Sequence, residues 1–202
     1  MVSYIVISVI CLLLIAADQI TKYLVVTNVT TGIDVIPGFF RIVCWENTGA
    51  AWGIFSNATA VLAVVSTVVA ALVIFAYVQA DSAFLKLCLG LLAAGAIGNV
   101  IDRIRLGYVT DFLSFYNLFG YEFPAFNVAD ICVTAGSIGL VIYLIFLSSK
   151  KKAFREGTPL YKFLYKEKAE KQEQPGLNEK AEPSEQPEQP VQPDLPEQKT
   201  GE

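Results

Sequence analysis

Four long apolar runs, at about residues 2–26, 58–80, 84–101 and 130–147, alternate with shorter polar connections along the chain. Each run is close to the ~20 residues that an α-helix needs to cross the hydrocarbon core of a bilayer. The pattern therefore predicts four transmembrane helices. The first run lacks a charged start and continues past Asp18 into Tyr23-Leu24-Val25-Val26, so it reads as an uncleaved span and not as a secretory leader. Between runs one and two, Pro37-Gly38 is a turn signal, and residues 39–45 are rich in aromatic and β-branched side chains. That pairing predicts a short strand or hairpin at the membrane face. Trp45, Trp52, Phe39, Phe40 and Phe55 read as interfacial anchors. The fold class is mainly α: a polytopic membrane protein with four transmembrane helices and a short strand or hairpin at the membrane face.

Charge gives this bundle a direction. Only five of the 15 Lys and Arg precede Lys150, whereas Lys150, Lys151, Lys152 and Arg155 follow the fourth run directly. Positive charge resists translocation, which predicts a cytoplasmic C-terminus and, with four spans, a cytoplasmic N-terminus. The connections at about 27–57 and 102–129 then face outward. After about Gly157 the composition passes through a Lys/Tyr/Phe segment into Gln, Glu, Pro and Lys. Such a stretch buries too little apolar surface to offset its ordering entropy, and disorder is expected from about residue 170. The domain division is thus 1–155 for the membrane domain and 156–202 for a cytoplasmic, largely disordered tail.

Composition narrows the chemistry. Hydrophobic residues make up 54% of the 202 and charged ones 17%, with a mean hydropathy of +0.50. The absence of His removes Ser/His/Asp and Cys/His triads and His-ligated zinc. Cys11, Cys44, Cys88 and Cys132 are widely spaced with no CxxC and read as small core hydrophobes. A net charge of −4 offers no basic surface for nucleic acid.

What remains is carboxylate, Lys or Ser chemistry, and the acids stand in unusual places. An ionisable group within a span costs about 2.5–3.5 kcal/mol on insertion scales, so its presence requires a partner or a task. Asp18 and Lys22 are four apart, on one helix face, as a structural ion pair or as a substrate contact. Asn99, Asp102 and Arg103 close the third run, and Asn127 and Asp130 open the fourth, so their polar groups meet at one depth. Asp111 lies in the link between them, which is long enough to fold back beside Asp130. Two carboxylates brought together in a partly desolvated site share a proton, one serving as base and the other as acid. Such a pair activates water against a peptide carbonyl without metal or covalent nucleophile, and it titrates as a unit. Taken singly, Asp111 reads as a loop residue and Asp130 as an N-cap of the fourth span. Asn47, followed by Thr48-Gly49-Ala50-Ala51, is a turn or a hold on a substrate backbone. Arg103 orients a carboxylate, binds a lipid head group, or pairs with Asp102 or Asp111.

In this order the motifs resemble those of the lipoprotein signal peptidases, or signal peptidase II: Asp18-Gln19-x-Thr21-Lys22, Asn47-Thr48-Gly49-Ala50-Ala51, Gly98-Asn99-x-x-Asp102-Arg103, Val109-x-Asp111-Phe112 and Phe126-Asn127-x-Ala129-Asp130. The resemblance covers about residues 8–147. It implies an aspartyl endopeptidase of the bacterial cytoplasmic membrane, active on the outer side, needing no cofactor or metal. Its implied substrates are diacylglyceryl-modified prolipoproteins, cut just before the lipobox Cys. The implied catalytic dyad is Asp111 and Asp130, with Asp18, Lys22, Asn47, Asn99, Arg103 and Asn127 supporting the dyad or positioning substrate. A small sheet and a mobile outer arm over the site are also implied. Membrane lipids are expected partners and a monomer the expected state.

Three other readings fit parts of the pattern. A small ion or proton-coupled transporter would use the acids as a path, although they cluster at the outer interface and leave spans two and four without mid-span charge. A Ser/Lys hydrolase would use Lys22 as base with Ser56 or Ser114. A purely structural adaptor would leave the ordered polar motifs without a role.

Overall fold

The computed structural model describes residues 2–49, 59–116, 120–147 and 153–165. Among the described residues, four helices are long and apolar enough to cross a membrane. They are α1 (Val2–Asn28), α2 (Thr59–Gln79), α3 (Ala83–Leu106) and α4 (Val128–Ile142), the last continued by a wider turn over Tyr143–Leu147. Three strands, β1 (Ile33–Ile36), β2 (Phe40–Asn47) and β3 (Val109–Phe115), form one antiparallel sheet in the order β1-β2-β3. The fold class expected from the sequence is the one observed. Trp52, Phe55 and Ser56, and the disorder expected from about residue 170, lie outside the described residues.

The bundle is organised around α3. Within the most apolar stretch of each helix, 44% of α3 is buried but only 6% of α2, and α3 packs against all three other helices. Large side chains such as Val61, Val64 and Leu72 of α2 and Leu12 and Leu13 of α1 are exposed, as suits helices facing lipid. Close approach at the α3–α4 seam depends on small residues. A Cβ added at Gly95 would lie 2.3 Å from the Ala129 carbonyl oxygen, and one at Gly136 would lie 2.8 Å from that of Cys88.

Element ends follow local chemistry. Ser82 caps α3, accepting from the Leu85 N–H, and Gly107, at φ 81°, ends it in a left-handed turn. The third apolar run stops near residue 101, but the helix carries Asp102, Arg103 and Arg105 through one more turn, where basic residues suit its C-terminal dipole. Asp102 and Arg103 therefore belong to α3 and not to the outer connection. The turn at Pro37-Gly38 joins β1 to β2, and the strand expected at residues 39–45 appears as Phe40–Asn47. β3 pairs with β2 in a register that sets Trp45 opposite Asp111 and Asn47 opposite Val109. Phe126 adds a bridge to the free edge of β3, through Leu113. Cys88 and Cys132 are buried as expected of core hydrophobes, whereas Cys44 is exposed on β2.

Replacing Gly95 by Ala forces α3 and α4 apart, because the atom it meets is backbone. The expected cost is about 1–3 kcal/mol, read as a lower midpoint of thermal unfolding in detergent. An unchanged midpoint would show that the seam tolerates a methyl group.

Candidate active site

At one end of the bundle α1, α3, the start of α4 and β3 converge, and each contributes polar side chains that are buried or half-buried. On α1, Asp18 and Lys22 are 1% and 3% exposed. The Lys22 ammonium lies 2.9 Å from Asp18 Oδ2 and 3.0 Å from Asp102 Oδ2, and donates to Asn99 Oδ1 at 2.9 Å. Its three donors thus have three acceptors. Of the two roles that the i,i+4 spacing left open for Asp18 and Lys22, the structural one is observed, with a second carboxylate that the spacing did not reveal. Asp18 uses its other oxygen, Oδ1, to accept from the Ala129 N–H at 2.9 Å, and Asp102 Oδ2 also accepts from the Thr110 N–H at 3.1 Å. Gln19 donates from one nitrogen toward Asp18, Asp102 and the Gly98 carbonyl.

Asn99 passes this order on. While its Oδ1 accepts from Lys22, its Nδ2 donates to Asp130 Oδ1 at 2.9 Å. Asp130 does not cap α4. The N-cap is Asn127, whose side chain accepts from the Asp130 N–H at 2.9 Å while Asp130 Oδ2 accepts from the Asn127 N–H at 3.1 Å, a reciprocal capping box. Asn127, fully buried, also donates from Nδ2 to Asp111 Oδ1 at 2.7 Å. One asparagine therefore touches both carboxylates.

Asp111 sits on β3, a strand where the sequence suggested only a link, and is 2% exposed. The Val109–Phe115 segment carries the strand signal in its β-branched and aromatic residues, and Gly107 and Gly120 mark turns on either side of it. Asn47, at the end of β2, donates from Nδ2 to Asp111 Oδ2 at 2.8 Å, and its Oδ1 accepts from the Gly49 N–H at 3.0 Å. The turn and the site contact are thus made by the same side chain. Burial pushes the Asp111 carboxyl from its ordinary 3.8 up to about 6; the amide donors Asn47 and Asn127 work against the shift, and the nearby Asp130 charge adds to it.

Arg103 completes the set. Its guanidinium interacts through space with Asp130, Asp111 and Asp102, and one nitrogen reaches toward the Gly49 carbonyl at 3.5 Å. Of the two acids offered as partners for Arg103, Asp102 is instead engaged by Lys22, Gln19 and the Thr110 N–H. Asn99, Arg103 and Asp130 line the polar end of an open cavity of about 250 Å³, whose other walls are Val65, Ser66 and Val69 of α2, Ala96 of α3 and Val133 of α4. Of the Ser/Lys candidates, Lys22 is held by three partners and Ser114 is buried on β3 opposite Arg41, while Ser56 lies outside the described residues. Among the described residues no group of His, Cys, Asp or Glu is disposed to hold a metal ion.

All eight residues singled out from the sequence are thus brought to one end of the bundle, and Asp102 and Gln19 join them. Both stood within the quoted motifs, but nothing in their spacing marked them as partners of Lys22.

Four spans and a buried acid–amide cluster at one end define a class, the polytopic membrane hydrolase built on carboxylates. The family model described as Signal peptidase (SPase) II matches residues 10–146. Curated relatives named lipoprotein signal peptidase, from Staphylococcus aureus strains JH9 and Newman, are each 39% identical over 139 residues, covering 67% of this chain and 85% of the relative. A bacterial membrane enzyme solved by the in meso method at 2.3 Å resolution has 34% sequence identity and a TM-score of 0.64, covering 77% of this chain and 96% of that one. A second, at 1.9 Å, is also 34% identical, with a TM-score of 0.62 over 73% and 95%. The chain belongs to the signal peptidase II family. It is an aspartic endopeptidase of the bacterial membrane that removes signal peptides from prolipoproteins.

Two outcomes follow from the buried charges. Lys22→Met leaves Asp18 and Asp102 buried without their cation, a loss expected to cost about 3–5 kcal/mol and to lower the unfolding midpoint sharply; a midpoint near wild type would mean that the cluster rearranges freely. The folded protein also holds the Asp111 proton more tightly than the unfolded chain. This group therefore favours folding below its ordinary pKa of 3.8, and that contribution is lost as pH rises through about 6. Unfolding midpoints of wild type and Asp111→Asn, compared across this window, should show a steeper fall with pH in the wild type. Parallel profiles would place the Asp111 pKa at its ordinary value.

Proposed function

We propose that Asp111 and Asp130 are the catalytic pair and that they cut diacylglyceryl-modified prolipoproteins just before the lipobox Cys. The observation that carries this reading is Asn127, which holds both carboxylates at once while Asn99 ties Asp130 to the Lys22 cluster. Of the pair, the ionised carboxylate takes a proton from water as the water oxygen attacks the peptide carbonyl carbon. The protonated carboxyl donates to the carbonyl oxygen as its charge grows. As the tetrahedral intermediate collapses and the C–N bond breaks, the protonated carboxyl gives its proton to the departing amine nitrogen and one hydroxyl of the intermediate returns its proton to the other carboxylate as the new carbonyl forms. The pair ends as it began, with one proton between two carboxylates, and neither role is fixed to one residue.

The remaining residues prepare this step. Asn127 and Asn99 orient the acids, Asn47 holds Asp111 from β2, and Asp18 and Lys22 act through Asn99 and the first turn of α4. Arg103 adds positive charge beside the acids and offers a donor to a substrate carbonyl. The cavity between α2, α3 and α4 is walled by Val65, Val69, Ala96 and Val133 together with the polar Ser66, Asn99, Arg103 and Asp130, a mixed lining that suits a substrate arriving from the bilayer with its lipid attached. No cofactor takes part. Both termini are cytoplasmic, the acids lie on the outer side, and the enzyme works as a monomer. The activity resides in residues 1–155, and residues 156–202 take no part in the chemistry.

The experiment is cleavage of a purified diacylglyceryl-modified prolipoprotein by wild type, Asp111→Asn and Asp130→Asn, each shown to be folded. Loss of general acid–base chemistry is expected to lower turnover by at least about 10²–10⁴-fold in each variant. Near-normal turnover in either folded variant removes that residue from the pair.

A further inference from the structure

At the end of the bundle away from the acids, α2 and α3 are joined by Ala80, Asp81 and Ser82 alone, so this turn lies at one surface of the membrane. Residues 153–164 fold back onto it. The Asp81 N–H donates to the Ala153 carbonyl at 2.9 Å, the Arg155 N–H to the Gln79 carbonyl at 3.0 Å, and the Leu160 N–H to Gln79 Oε1 at 2.9 Å. The Arg155 guanidinium reaches the Val78 carbonyl. Ala153 and Phe154 pack against the hydrophobic core that includes Ile7, Tyr77 and Ala80. Gln79 is a buried polar side chain whose two ends are both used, one on its own helix at Phe75 and one on the strap.

The strap ends in a helical turn with its own start signals. Thr158 accepts from the Tyr161 N–H through its side chain, and Pro159 occupies the first helical position. This turn is fixed at the level of the membrane surface, yet Phe163 is 82% exposed and Leu164 50%. Lys162 is exposed beside them, Arg155 lies on the same strap, and Lys150, Lys151 and Lys152 immediately precede it in the chain. An aromatic and an aliphatic side chain set among basic residues is the composition of a segment that lies in the interface of a bilayer with anionic lipids.

We propose that the strap over residues 153–164 is a lipid-surface anchor: Phe163 and Leu164 bed into the bilayer at the α2–α3 end, while Arg155 and Lys162 face anionic head groups. The partner is the lipid surface itself. The anchor holds the chain where it leaves the fourth span against the membrane. It does not depend on which acids are catalytic.

The test uses the full-length enzyme carrying Phe163→Trp with Trp45→Phe and Trp52→Phe, reconstituted in phosphatidylglycerol-containing liposomes with or without lipids brominated along the acyl chain. Prolipoprotein cleavage reports that the variant is folded. Blue-shifted emission that brominated lipid quenches at least about twofold, and that aqueous iodide does not quench, is the expected result. Emission quenched by iodide and untouched by brominated lipid overturns the proposal. Emission protected from both quenchers also overturns it, because the face is then covered by protein. Adding Lys162→Glu should weaken the quenching by brominated lipid in anionic liposomes, and an unchanged response removes the charged part of the contact.

Discussion

One buried ammonium sets the geometry on which the rest depends. Removing Lys22 from water is costly unless every proton it carries finds an acceptor, and here Asp18, Asp102 and Asn99 supply three. Each of those groups has a second engagement. Asp18 accepts from the N–H of Ala129, one of the donors left unpaired in the first turn of α4. Asp102 accepts from the N–H of Thr110 at the start of β3, and Asn99 donates to Asp130. The position of α1 against α3, the entry of α4 and the first residues of β3 are thus tied to one cation.

The division of labour along α3 follows from the same constraint. Its apolar length bears glycines and alanines that let α4 approach closely, while its last two turns bear the polar residues. A Cβ at Gly98 would lie 2.7 Å from Asp18 Oδ2, a carboxylate already fixed by Lys22. Small residues are therefore needed as much for the charge cluster as for helix packing. Asn127 plays the matching part at α4: it caps the helix with its oxygen and holds Asp111 with its nitrogen. Helix initiation and placement of the two acids are one structural event.

Much of this was legible in the sequence because lipid imposes simple rules. Four runs near the span length, polar motifs at their ends and a Pro-Gly turn before an aromatic stretch led to the four helices, the β1–β2 hairpin and the convergence of Asp111 with Asp130. Helix spacing paired Asp18 with Lys22 but could not report Asp102, 80 positions from Lys22, because that contact depends on how α1 crosses α3. The Asp130 position read as a cap because Asp is a common N-cap. The competing Asn three residues earlier took that place, and the reciprocal bond turned Asp130 into its partner. β3 went unseen because its value lies in pairing with β2, a tertiary property that local preference carries weakly. The folding back of residues 153–164 was likewise hidden, since its bonds are mostly backbone groups and a single Gln side chain.

The proposed catalytic pair is two carboxylates that hold one proton between them. Infrared spectroscopy of the purified enzyme, titrated around the Asp111 pKa of about 6, observes that proton directly as the absorption of a protonated carboxyl, in a range where ordinary surface acids are already ionised. A shared proton predicts a single such band in the wild type that titrates away at lower pH in both Asp111→Asn and Asp130→Asn, because either substitution removes the repulsion between the two charges while burial of the remaining acid persists. A band that persists unchanged in both variants would contradict it, since the proton would then belong to neither member of the pair.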